Sequence, residues 1–252
     1  MFKETPLFSI TNQKFNVIIL AAGLGTRLKP ATDYVPKALI RIGKDRAIDY
    51  SVRKYQYIAN RIIIATGYSA DLLENYVRGK YSSLNPMFSR EHISELQGPG
   101  RSLVYALDYA SSKLPTLITF CDYIIEDYMS VDSDMLGLCK PNKEPSVLGT
   151  YDSVAVVEEE TVMDLVKNKD IKNIKENGFT GIAVCQNTML LKSIIYSAAL
   201  SRRPDENVDY TFDVIREYIL KVKTIAHPLS KIFEFGAGDT LEKTRKYING
   251  SS

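Results

Sequence analysis

The feature that most constrains this chain is a short strand, apolar on both faces, that runs straight into a glycine turn. Residues 16–22 read Asn-Val-Ile-Ile-Leu-Ala-Ala, and Gly23, Leu24 and Gly25 follow at once. A strand without a polar face must be covered on both sides, which is the condition of a buried parallel sheet in an α/β protein. Two glycines at its end let the backbone turn sharply and approach a ligand closely. Successive amides in such a loop form an anion-binding concavity. Arg27 is placed to fork onto phosphate oxygens, and Lys37 adds a compact positive charge ten residues later. Taken alone, Gly-x-Gly after a strand serves equally well as a structural turn.

The pattern after this loop repeats strand, loop and helix. Ile48–Ile58 has helical spacing, Arg61–Thr66 is a second apolar run closed by Gly67, and Ala70–Val77 is amphipathic. A third apolar run, Leu117–Cys121, ends in Asp122. The alternation predicts an α/β fold with a doubly wound, mostly parallel sheet. From about residue 145 the pattern changes to strands joined by turns, expected over Val147–Tyr151, Val154–Glu158, Val162–Val166 and Phe179–Cys185. Further strands are expected at Thr224–His227 and Ile232–Phe235, and helices over Leu103–Ser111, Met189–Leu200, Asp213–Val222 and Thr240–Ile248. This second part reads as an embedded, partly antiparallel substrate lobe. The expectation is one domain over 1–252, with an extension at 1–14, a first part over about 15–145 and a second part over about 146–252.

Composition narrows the class. An apolar fraction of 45% and a charged fraction of 25% fit an ordinary globular protein. The formal net charge of +2 is scattered and gives no reason to invoke nucleic acid or a membrane surface. No apolar run is long enough to span a bilayer, and residues 1–14 lack the apolar stretch of a signal peptide, so a cytoplasmic location is expected. Cys121, Cys139 and Cys185 form no C-x-x-C pair, and only His92 and His227 could join them, which excludes a zinc cluster. They read as buried reduced thiols, with a reactive Cys121 as the alternative.

Two rival motifs fail at the first loop. A dinucleotide fingerprint needs a third glycine where Leu28 stands, and a P-loop needs Gly-Lys-Ser/Thr. The whole run, Leu20-Ala-Ala-Gly-Leu-Gly-Thr-Arg-Leu28 with Pro36-Lys37 beyond it, resembles the signature of the sugar-phosphate nucleotidylyltransferases. That family includes glucose-1-phosphate thymidylyl- and uridylyltransferases and inositol-phosphate cytidylyltransferases. The resemblance implies a Rossmann-like nucleotide-binding fold, displacement at the α-phosphorus of a nucleoside triphosphate, and Mg²⁺ as cofactor. Carried over by position, Leu20, Ala21, Ala22, Gly23, Gly25 and Thr26 would line the nucleotide, Arg27 would hold the triphosphate, and Lys37 would contact phosphates at the reacting centre.

The likeness continues with decreasing sharpness. Gln97-Gly-Pro-Gly-Arg-Ser-Leu103 stands where relatives carry a glycine-rich loop against the base, making Gln97, Gly98 and Ser102 candidates; a plain turn before a helix is the alternative. Its form is closer to the cytidylyl members, which tilts the donor toward CTP. Asp122, at the carboxyl end of a strand, would hold Mg²⁺, or else cap a helix. Glu234 stands where relatives carry a second aspartate, or is a solvated edge charge. Thr180 and Gly181 lie in the strand that resembles the acceptor side. The family's Glu-Lys-Pro is missing, and Lys169, or Lys167, is the best-spaced substitute for its lysine, with surface charges as the alternative.

These residues imply an enzyme that moves a nucleoside monophosphate from a triphosphate to a sugar phosphate or similar small phosphorylated acceptor, releasing pyrophosphate. A cytidylyltransferase for inositol phosphate, phosphocholine or a phosphonate is a close alternative. A non-catalytic regulatory or scaffold subunit on the same fold is the alternative from another class. The implied partners are a nucleoside triphosphate and the acceptor, and a homo-oligomer stays open.

Overall fold

The computed structural model describes residues 13–91, 98–139, 153–167, 177–203 and 206–250. In chain order the elements are β1 (Phe15–Leu20), β2 (Arg41–Ile42), β3 (Asp45–Arg46), α1 (Ala47–Tyr55), β4 (Ala59–Thr66), α2 (Ala70–Lys80) and β5 (Met87–Arg90). There follow α3 (Pro99–Asp108), β6 (Thr116–Phe120), β7 (Tyr123–Ile125), β8 (Met135–Cys139), β9 (Ser153–Glu158), β10 (Thr161–Lys167) and β11 (Gly178–Cys185). The chain closes with α4 (Thr188–Ser201), α5 (Arg216–Ile219), β12 (Ile225–Leu229), β13 (Ile232–Glu234) and α6 (Gly238–Gly250).

Nine strands form one sheet in the order β5-β4-β1-β6-β11-β8-β12-β10-β9. The pairs β4–β5, β1–β4 and β1–β6 are parallel, so β5, β4, β1 and β6 all end along one edge. Successive residues of these strands enter opposite cores. Val17, Ile19, Ile62, Ile64 and Leu117 pack with α1 and α2 through Ile48, Val52, Tyr55, Leu73 and Val77. Ile18, Leu20, Ile63, Ala65 and Ile118 pack with α3 and α4 through Leu103, Leu107, Leu191 and Ile195. Helices on both faces explain why these strands carry no polar face. Each fully buried Ile or Leu contributes about 1.5–3 kcal/mol through burial.

The sheet is mixed, which corrects the expectation of a mostly parallel one. β11 runs antiparallel to β6, β8 and β9, and β10 runs antiparallel to β9 and β12, while β8–β12 is parallel. The cause is local: only Glu159 and Glu160 link β9 to β10, a connection that folds as a hairpin and is too short for a parallel crossover. These later strands also join the same sheet as β1, so the second half of the chain extends the sheet of the first and forms no separate layer.

Most expected elements are present within a few residues. The expected strand Val147–Tyr151 lies outside the described residues. The helix expected over Asp213–Val222 is a π-helical turn, Tyr210–Ile215, continued by α5 and finished by Leu220. The Asp209 carboxylate accepts from the amides of Thr211 and Phe212 and fixes that entry. Asp122 caps no helix, since β7 follows it directly. All three cysteines are buried. Among the described residues no helix is long and apolar enough to cross a membrane.

A third, smaller core holds Leu28, Ile40, Ile42, Ile124, Phe233, Phe235, Leu241 and Ile248 together. It locks α6 and the antiparallel pair β7–β13 against the segment that follows the glycine loop.

Candidate active site

The site lies at the carboxyl edge of the parallel strands, where open α/β sheets place ligands. Each charged residue there is aimed by an apolar neighbour in the third or first core. Arg27 sits in a 3-10 turn, Thr26–Leu28, anchored by buried Leu28. Lys37 opens a second 3-10 turn whose Ala38 and Leu39 are buried. Asp122 follows β6, with Ile124 inward. Glu234 lies between Phe233 and Phe235, which both face the core, so period-2 alternation points its carboxylate the other way. The Phe235 amide donates to the Asp122 carbonyl at 3.1 Å and brings the two acids level across β7–β13.

The four side chains converge. Lys37 Nζ donates to Asp122 Oδ2 at 2.6 Å, with side-chain exposures of only 16% and 12%. Gly236 marks the centre: a Cβ built there would lie 2.9 Å from Glu234 Oε1, 3.2 Å from Asp122 Oδ2 and 3.4 Å from Arg27 Nη2. Residues 27, 37, 122 and 234, more than 200 positions apart at the extremes, therefore share one small space. Burial is the largest single influence and opposes the Lys37 ammonium, yet the charge and hydrogen bond of Asp122, together with Cys121, hold the lysine above its ordinary range. Burial pushes the neighbouring Cys121 thiol up to about 12, which leaves it a protonated packing group and removes the reactive-thiol reading.

The glycine loop wraps the same space. Gly25 adopts the left-handed conformation at φ 66°, and a Cβ there would meet Thr32 Cγ2 at 2.9 Å and Lys37 Cβ at 3.3 Å. The Thr32 hydroxyl donates to the Gly25 carbonyl at 2.8 Å and fixes the turn. Among the described residues, the amides of 22–25 donate to no protein acceptor. Leu20 and Ala21 are buried in the two cores, so the side of these residues left to a ligand is backbone.

The donor set suits Mg²⁺. Asp122 Oδ1 is buried with no hydrogen-bond partner, and the space that a Gly236 Cβ would fill is bounded by two carboxylates. Mg²⁺ takes oxygen ligands, one or two carboxylates with the remainder from phosphates and water. Among the described residues no cluster of three His, Cys, Asp or Glu exists, as such a shared shell requires none. The residues fit the ion.

On the acceptor side, Gly181 is left-handed at φ 82°, and a Cβ there would run into the Phe120 ring. The Tyr210 hydroxyl donates to the Gly181 carbonyl at 2.7 Å, and its ring meets Phe120 edge-on at 5.5 Å. The Thr180 hydroxyl is spent on the Gly137 carbonyl at 2.7 Å. Lys167 ends β10 with its ammonium 5.3 Å from the centre of the Phe212 ring. Lys169 and Gln97 lie outside the described residues. Gly98 precedes α3, and Ser102 is buried in its first turn. Two contributors went unmarked in the sequence: Gly236, signalled only by the Phe-Glu-Phe-Gly run, and Phe120, hidden as one more apolar residue of a strand.

In sequence and in fold the chain is similar to known nucleotidyltransferases. Residues 17–131 match the model of the MobA-like NTP transferase domain family. The choline-phosphate cytidylyltransferase of Streptococcus pneumoniae is 46% identical over 66 residues, 25% of this chain and 28% of that protein. The CTP:phosphoglutamine cytidylyltransferase of Campylobacter jejuni is 40% identical over 63 residues, 25% of each chain. The aligned segments thus span about a quarter of those relatives' lengths. The solved structure of CTP:phosphocholine cytidylyltransferase from Streptococcus pneumoniae superposes with a TM-score of 0.75 at 18% identity. It covers 93% of this chain and 99% of its own, which establishes a shared fold.

Proposed function

We propose that this chain transfers a nucleoside monophosphate from a triphosphate, CTP foremost, to a small phosphorylated acceptor and releases pyrophosphate. The observation that carries the reading is the meeting of Arg27, Lys37, Asp122 and Glu234 around Gly236, beside a loop of unused amides. The preference for CTP rests on the cytidylyltransferase relatives and on the form of the loop at 97–103. We read residues 1–252 as one such domain with a Rossmann-like first half, acting in the cytoplasm, a setting that buried reduced cysteines suit.

In the reaction, an oxygen of the acceptor phosphate forms a bond to the α-phosphorus as the bond to the bridging oxygen of pyrophosphate breaks. The acceptor phosphate is already an anion at neutral pH, so no general base is required. The task is to bring two polyanions together and stabilise charge on the leaving oxygen. Arg27 and the amides of 22–25 hold the departing phosphates. Lys37, kept protonated and desolvated, offsets repulsion at the reacting centre. Asp122 and Glu234 would hold Mg²⁺, which supplies charge neutralisation and orients the α-phosphate. Before substrate arrives, the two cations and two carboxylates neutralise one another. Gly181 and Phe120 border the acceptor, with Lys169 or Lys167 as candidates for its phosphate.

The test is pyrophosphate release from CTP, UTP, dTTP, GTP or ATP with Mg²⁺ and phosphocholine, inositol phosphate or a sugar 1-phosphate. The expected result is acceptor-dependent release, greatest with CTP and abolished by EDTA. No release from any pair would remove the assignment.

A further inference from the structure

Among the described residues, four buried side-chain polar atoms have no hydrogen-bond partner, and one of them, Asp122 Oδ1, belongs to the centre already described. The other three, Ser89 Oγ, Glu91 Oε1 and Arg101 Nε, lie at the corner between β5 and α3. Buried polar groups are nearly always hydrogen-bonded, and here Glu91 Oε1 and Arg101 Nε meet only as a loose ion pair, which leaves an acceptor and a donor unspent side by side. Glu91 is the most constrained of them. It is 7% exposed, and its amide donates to the Thr66 carbonyl at 2.7 Å, which fixes it at the carboxyl end of the sheet beside β4. Its Oε2 accepts from the Ser102 hydroxyl at 2.8 Å. Its Oε1 lies 3.7 Å from Arg101 Nε, too far for a hydrogen bond. Burial raises the Glu91 carboxyl above the usual range, opposed by Ser102 and Arg101.

The corner is two strands from the glycine loop. β4 lies between β5 and β1, and after β4 the Tyr68 amide donates to the Ala22 carbonyl at 3.3 Å. Two strand spacings are roughly 10 Å, about the span of a nucleoside. We propose that Glu91 and Arg101 read the base of the bound triphosphate, Glu91 Oε1 accepting from the exocyclic amine of cytosine and Arg101 Nε donating to the adjacent ring acceptor. Cytosine carries a donor beside an acceptor on that edge, the complement of an acceptor beside a donor in the protein. Uracil and thymine carry the reverse order, so both contacts turn repulsive. Adenine shares cytosine's order on a larger ring. Ser102 holds Glu91 in place, which makes it a positioning residue.

The inference rests on the nucleotidyltransferase reading and deepens it by naming the residues that choose the base. The test is kcat/KM for CTP, UTP and ATP in the wild type, Glu91→Gln and Arg101→Met, with thermal melts alongside. A glutamine can present either an acceptor or a donor, so E91Q should lower the CTP-to-UTP ratio about tenfold or more, mostly by raising UTP turnover. R101M should lower the same ratio and serves if E91Q fails to fold. ATP turnover equal to CTP in the wild type would contradict a cytosine fit. A ratio unmoved in the folded variants overturns the inference, as would an equal loss for both pyrimidines, which marks a ribose contact. A wild type that releases pyrophosphate from no triphosphate overturns the function itself, and this inference with it.

Discussion

At Gly236 a single methyl group would alter the chemistry of the site. The position is not among those with positive φ, so alanine meets no backbone strain there. Its Cβ would press on the ends of the Glu234 and Asp122 side chains, which can move, and would occupy the space between the carboxylates. Gly236→Ala should therefore keep the wild-type melt within about 1 kcal/mol yet lose the Mg²⁺-dependent stabilisation by nucleotide that mass action gives the wild type. A variant with a normal nucleotide shift would show that this space is not where metal and phosphate sit. The same scale explains what could be read from sequence. Arg27, Lys37 and Asp122 stand in runs whose glycines, proline and strand end carry local signals. Glu91 sits among Arg90 and His92 as one more charge, and only its burial gives it meaning.

Among the elements, β1, β4 and α2 were legible because their apolar spacing is local and strong. β5 and β8 were not: Met87-Phe-Ser-Arg is too short to show a period, and Met135-Leu-Gly-Leu-Cys is broken by Gly137. That glycine is needed because Thr180 Oγ1 and Leu229 Cδ1 would lie 3.0 and 3.1 Å from a Cβ. Pairing of β7 with β13 joins residues more than 100 positions apart, and no local pattern encodes it. Lys54 on α1 ties that pair down, donating to the carbonyls of Ile125 at 3.0 Å and Asp127 at 2.9 Å. Burial lowers its pKa to about 7, against the partly compensating charges of Asp127 and Glu126. An unfolded lysine titrates near 10.4. Between these values the unfolded chain binds the extra proton, so stability should rise with pH from about 7 toward 10. Lys54→Met should flatten that slope in melts taken from pH 7 to 9, whatever its constant offset. An unchanged slope would mean that Lys54 stays charged in the fold.

Across the whole molecule, the mixed sheet brings a strand-loop-helix first half and an antiparallel second half to one edge. The third core then closes the chain end onto the glycine loop, so that Glu234 completes a centre begun by Arg27. The first half was legible in sequence because its glycine loop is contiguous. The second was not, because its contribution is one carboxylate and one missing side chain, set in place by tertiary packing. The account stands or falls on the two cations acting as preorganised charge at that centre. The direct measurement is pyrophosphate release by Arg27→Ala and Lys37→Ala, each confirmed folded, at saturating CTP, Mg²⁺ and the best acceptor. Turnover should fall by a factor on the order of 10² or more in each. Near-wild-type rates in both variants would contradict it.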